Sequence, residues 1–161
     1  MMTPVLVSAC LLGSKVRYNA TCVSAECEHM QWLRSHCHIM PLCPEVAAGL
    51  PIPRAAAEIV GGDGDDVLAG RAKIVTADGE DVTAVFLQGA RQALALCKQH
   101  DIRYAVLTES SPSCGSNTIY NGEFGARKVP GQGVVSALLR ANHVSVFSQH
   151  TLKQLRVQLS D

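Results

Sequence analysis

Pro4-Val5-Leu6-Val7-Ser8-Ala9-Cys10-Leu11-Leu12-Gly13 is a short apolar, β-branched run that ends in a cysteine and a glycine. Pro4 to Ala9 has the length and composition of a buried strand, so Cys10 falls just past a strand end. The same order recurs twice. Ile39 to Leu42 stops at Cys43-Pro44-Glu45, and Tyr104-Ala105-Val106-Leu107 leads into Ser111-Pro112-Ser113-Cys114-Gly115. If these runs are parallel strands of one sheet, all three thiols lie on its carboxyl-terminal edge, where open α/β sheets bind their ligands.

The rest of the chain supplies the helices that such a sheet needs. A helical pattern over about Ser24 to Ser35 has Ala25, Met30 and Leu33 as inward candidates. A longer one, capped by Asp81 or Thr83 and reaching about His100, carries the stripe Val82, Val85, Phe86, Ala90, Ala93, Leu94 and Cys97. Helices over Gly133 to Arg140 and Thr151 to Leu159 bracket a fourth strand, Val144 to Phe147. Strands alternating with helices predict a single α/β domain over 1–161. It is a three-layer αβα arrangement with a mostly parallel, Rossmann-like sheet. A small β-hairpin insertion is expected at about 57–80, from Glu58–Val60 and Arg71–Thr76. Between them Gly61-Gly62-Asp63-Gly64-Asp65-Asp66 reads as a solvated hairpin tip, since it lacks the ligand alternation of a calcium loop. Gly122 and Gly125 mark another loop.

Composition narrows the function classes. The 161 residues carry 14 basic and 14 acidic side chains, a formal net charge of +0, so no large nucleic acid is expected as partner. No apolar run reaches membrane-spanning length, and Pro4–Val7 is too short for a signal core. Seven cysteines, an odd number, without a secretory signal predict reduced thiols or metal ligands in the cytoplasm.

Cys97 lies on its helix's apolar stripe and reads as a small core hydrophobe. Cys37 stands between His36 and His38. Were His38 to open a strand, the two imidazoles would point to one side and the thiol to the other. The Cys22-x4-Cys27 spacing fits neither a zinc ribbon nor a plant-type ferredoxin. Cys10, Cys43 and Cys114 differ because their neighbours are loop formers with no packing reason to be there. Their separations match no local metal motif, so the fold has to bring them together. Three converging thiolates can hold an iron–sulfur cluster and leave one iron without a protein ligand. Glu45, two residues past Cys43, is then placed for proton transfer. Ser111 and Ser113 offer hydroxyls to a substrate or a water, or simply cap their turn. Arg17, Arg54 and Lys128 are the cations available for a substrate phosphate.

Three segments resemble the thiouracil desulfidase family, long known as a domain of unknown function. They are Ser8–Gly13 with Val16-Arg17-Tyr18, Cys43-Pro44-Glu45 with Gly49–Arg54, and Ser111–Gly115 with Ile119-Tyr120-Asn121-Gly122. The resemblance implies a [4Fe-4S] cluster on Cys10, Cys43 and Cys114, with one iron not ligated by protein. It also implies non-redox removal of sulfur from thiolated uracils such as 2-thiouracil and 4-thiouridine monophosphate, giving uracil or UMP and hydrogen sulfide. Substrates are then small thiolated pyrimidine bases or nucleotides, and the iron–sulfur assembly machinery is an implied partner. Thr108 stands where the family pattern leads us to expect a lysine, and Tyr18-Asn19-Ala20 replaces a Tyr-Asp-Gly turn. A zinc deaminase would need His-x-Glu and Pro-Cys-x-x-Cys signatures, which are absent. A non-catalytic iron–sulfur sensor or a sulfur-relay protein is the alternative outside enzymes.

Overall fold

A computed structural model describes residues 2–12, 28–43, 56–108, 111–125 and 127–160, and at Cys10, Leu12, Glu28 and Met30 the backbone alone. Strand β1 (Thr3–Ser8) runs directly into a 3-10 turn, Ala9–Leu12. Helix α1 (Glu28–His36) then leads into β2 (Cys37–Leu42). Further along the chain lie β5 (Tyr104–Val106) and β8 (Ser145–Phe147). These four strands make one sheet in the order β2-β1-β5-β8, with every pairing parallel. Pro41 sits in β2, an edge strand of that sheet, where a missing N–H is tolerated.

Alternation along β1 divides the interior into two cores. Val5 and Val7 join Leu33, Val106, Leu152 and Leu155 on one face, which α1 and α5 (Leu152–Ser160) cover. Leu6 joins Ala105, Leu107, Phe86 and Val134 on the other face. That face is covered by α3 (Thr83–Gln99) and α4 (Val134–Ala141). On the first face Trp32 stacks on His36 with ring centroids 4.4 Å apart, and the Arg156 guanidinium lies 5.3 Å from the Trp32 ring, tying α5 to α1. The expected three-layer α/β architecture is therefore present. The α3 stripe is buried at Phe86, Ala90, Ala93 and Cys97. Its cap residue is Val82, and Asp81 serves it from one position earlier by accepting the Thr83 N–H.

The expected hairpin is β3 (Ala57–Val60) paired antiparallel with β4 (Lys73–Thr76). Its glycine-rich connection differs from a solvated tip, because Gly64–Leu68 forms a short helix, α2. Asp63 accepts the Asp65 N–H, and Asp66 accepts the Asp63 N–H and an Arg71 contact at 3.1 Å. These acidic side chains are thus engaged in a reciprocal cap. A second small hairpin stands where the sequence reads only as a loop: β6 (Thr118–Tyr120) with β7 (Lys128–Pro130). Glu58 of the first hairpin joins the two by accepting the Gly122 and Phe124 N–H groups.

The Asp63 N–H and the Arg71 guanidinium hold the Asp66 carboxyl below the usual carboxylate range. A carboxyl lowered in the folded state stabilises it above the unfolded-state pKa, and that contribution is lost as pH falls through the folded value. Asp66→Ala should therefore be less stable than the parent at neutral pH in urea unfolding. The gap should shrink as the solution is acidified below about pH 4, the ordinary carboxylate range. A gap independent of pH would show that the charge contributes nothing.

Candidate functional site

Register fixes the site before any side chain is considered. Ser8 pairs with Leu42, and Val7 pairs with Val106, so β1, β2 and β5 end together. Cys10 follows the end of β1 by two residues, and its 3-10 turn packs beside the end of β2. Cys43 directly follows β2 and is partly exposed. In chain order the parallel strands lie 2-1-3-4 across the sheet, so the connections diverge to opposite faces between β1 and β5. A crevice at that switch point is the general ligand site of open α/β sheets. The 3-10 turn bearing Cys10 leaves one side of it, and the chain bearing Cys114 leaves the other.

The Ser111–Gly115 turn is built to hold its shape. Ser111 Oγ accepts the N–H groups of Ser113 (3.1 Å) and Cys114 (3.2 Å), and the Gly115 N–H donates to Ser111 O. The start of α4 grips the same turn. Val134 and Val135 donate their N–H groups to the carbonyls of Pro112 and Ser113, and Ser136 Oγ donates to Cys114 O. Such close approach excludes side chains at two glycines. A Cβ on Gly133 would lie 2.5 Å from the Ser113 carbonyl, and one on Gly115 would lie 2.5 Å from Thr118 O.

Beside the end of β1 the Cys114 sulfur is buried between two serine hydroxyls. Ser8 Oγ donates to it over 3.7 Å, and Ser113 Oγ lies 3.8 Å away. Ser113 is only 1 % exposed, whereas Ser111 is half-buried, so the two serines occupy different depths. None of the described cysteines Cys37, Cys43, Cys97 and Cys114 is in a disulfide. The Ser8 hydroxyl donating to the Cys114 sulfur suits a thiolate ligand, while Ser113 Oγ is placed to accept from the protonated thiol. The donor chemistry at Cys43 and Cys114, with Cys10 on the adjoining turn, fits a thiolate-bound iron–sulfur cluster. Among the described residues no three metal-ligating side chains converge; the Cys10 side chain lies outside them.

Glu45, Arg17 and Arg54 lie outside the described residues, as do Cys22 and Cys27. Lys128 is exposed on β7 with its ammonium 5.6 Å from the Tyr120 ring centroid. Cys97 is buried in the α3 core, which pushes its thiol up to about 11. Cys37 is buried too, its thiol pKa raised by desolvation, while His36 and His38 are exposed. The imidazoles and the thiol thus lie apart in exposure, as the alternation of the chain implies. Two residues that the sequence left without a role belong to the site: Ser8 and Ser136.

Fold and site together define a Rossmann-like α/β protein with a buried thiol beside the strand ends at its switch point. The sequence profile of the 2-thiouracil desulfurase family matches residues 5–151, and the chain belongs to that family of enzymes. It is 44% identical over 151 residues to the uncharacterized protein YbbK of Bacillus subtilis (strain 168), covering 94% of this chain and 99% of that one. Its structure is similar to that of the [4Fe-4S]-dependent thiouracil desulfidase TudS, with a TM-score of 0.87 and 42% identity over 98% of each chain.

Gly133→Ala should loosen the grip of α4 on the Ser111–Gly115 turn. Overpacking of this kind costs about 1–3 kcal/mol. Urea unfolding should show that loss, and a variant as stable as the parent would mean that the turn can shift freely.

Proposed function

We propose that this chain removes sulfur from thiolated uracils by net hydrolysis, using a [4Fe-4S] cluster held by Cys10, Cys43 and Cys114 with one iron not ligated by protein. What supports this most is the shared end of β1, β2 and β5, which brings the chain segments bearing all three cysteines to one sheet edge. When bound, such a cluster supplies a Lewis-acidic iron matched to a soft thiocarbonyl sulfur. The remaining chemistry belongs to the protein. Glu45 accepts a proton from the attacking water, whose oxygen becomes bonded to the ring carbon. The carbon–sulfur bond breaks, and sulfur leaves with the water's protons as hydrogen sulfide. Ser111 or Ser113 holds the substrate or the water. The substrate is a free base such as 2-thiouracil or a nucleotide such as 4-thiouridine monophosphate, yielding uracil or UMP. For a nucleotide, Arg17, Arg54 and Lys128 are the phosphate-binding candidates. No electron is gained or lost, so no reductase is needed.

We read residues 1–161 as one desulfidase domain with the β3–β4 hairpin as its insertion. We assign it to the cytoplasm, where the iron–sulfur assembly machinery would load it. No described helix is long and apolar enough to cross a membrane.

Alanine at Cys10, Cys43 or Cys114 should abolish or destabilise the cluster, and turnover with it. Iron and labile sulfide should persist when Cys22, Cys27, Cys37 or Cys97 is replaced. A fully loaded, active Cys43→Ala protein would sink the ligand assignment.

Glu45→Gln should retain the cluster while turnover falls by about 10²–10⁴, the usual cost of losing a general base. Loss of iron in this variant would instead make Glu45 a structural or ligand residue.

A further inference from the structure

Ser8 is the last residue of β1 and is 2 % exposed. A hydroxyl so buried needs partners, because an unsatisfied one costs roughly 1–3 kcal/mol. It has two, both across the switch point. Its oxygen accepts the Thr108 N–H at 3.1 Å, two residues beyond the end of β5. Its proton is directed to the Cys114 sulfur at 3.7 Å, 106 residues away in the chain. The amide bond occupies a lone pair of the oxygen and so orients the hydroxyl. The O–H then faces the sulfur as a fixed dipole.

Resting on the cluster reading above, we propose that Ser8 is a positioning residue of the thiol site. Its hydroxyl, anchored by the Thr108 amide, donates to the Cys114 sulfur and sets both the place and the electron-donating strength of that ligand. Hydrogen bonds to ligand sulfurs draw negative charge away from a cluster, which raises its reduction potential. In a hydrolytic reaction the same withdrawal leaves the iron a stronger acceptor for a sulfur donor. The residue does not touch the substrate. It acts through Cys114, and it does so from the strand end that leads into the turn bearing Cys10.

Ser8→Ala and Ser8→Thr, compared with the parent, test this. In the loaded protein Ser8→Ala should have a more negative midpoint potential, and Ser8→Thr, which keeps the hydroxyl, should restore the parent value. A structural role alone would not give that pattern. In protein stripped of metal, the Thr108 amide should exchange hydrogen about 5- to 10-fold faster in Ser8→Ala, since a net hydrogen bond is worth about 1 kcal/mol. That second readout stands even if the wild-type protein binds no cluster, an outcome that would refute the proposed function and the ligand-tuning role together while leaving the anchor measurable. If Ser8→Ala cannot be loaded, loading of Ser8→Thr supports the hydroxyl's role. Failure of both to load would reduce Ser8 to packing and overturn the proposal. So would a loaded Ser8→Ala with the parent's potential, or an unchanged Thr108 exchange rate.

Discussion

The parallel pairing of β1 with both β2 and β5 is the constraint on which the site depends. Each pairing aligns a strand end, and each strand end leads into a segment carrying a cysteine. Because side chains alternate along a strand, the register that buries Val5 and Val7 on one face and Leu6 on the other is strongly specified. A one-residue slip would invert every buried residue of β1 and misplace Ser8. The chemistry at the edge is thus held in place by the hydrophobic pattern of the core, through many small packing terms.

Beyond the sheet, positioning passes to backbone hydrogen bonds. The Ser111–Gly115 turn has its own serine cap, and the first residues of α4 donate to its carbonyls. A loop carrying a functional thiol is usually among the more mobile parts of a fold. Here it is made continuous with a helix start, and the β1 strand end reaches it through Ser8. Preorganisation of this kind holds the Cys114 sulfur in one place.

Much of this was legible in the sequence. Apolar runs leading into Cys-Leu-Leu-Gly, Cys-Pro-Glu and Ser-Pro-Ser-Cys marked the strand ends, and the three cysteines stood out because loop formers surrounded them. Cys97 declared itself core by its helical spacing, and its burial agrees. The short helix α2 was hidden by its glycine-rich composition, although the Asp63–Asp66 spacing is that of a reciprocal cap. The β6–β7 hairpin has strands of three residues each, too short for alternation to register. Ser8 could not have been found, since its partners become neighbours only when β1 and β5 pair. Glu45, Arg17 and Arg54 lie outside the described residues, so their roles stand as proposals drawn from sequence context.

Desulfuration without net redox change fixes the stoichiometry of the products. Protein purified without oxygen should be incubated with 2-thiouracil in the absence of added reductant or oxidant, with uracil and hydrosulfide both quantified. The two should appear together, one of each for every thiouracil consumed, over many turnovers. Turnover that stops without an electron donor, or uracil formed without matching sulfide, would contradict it.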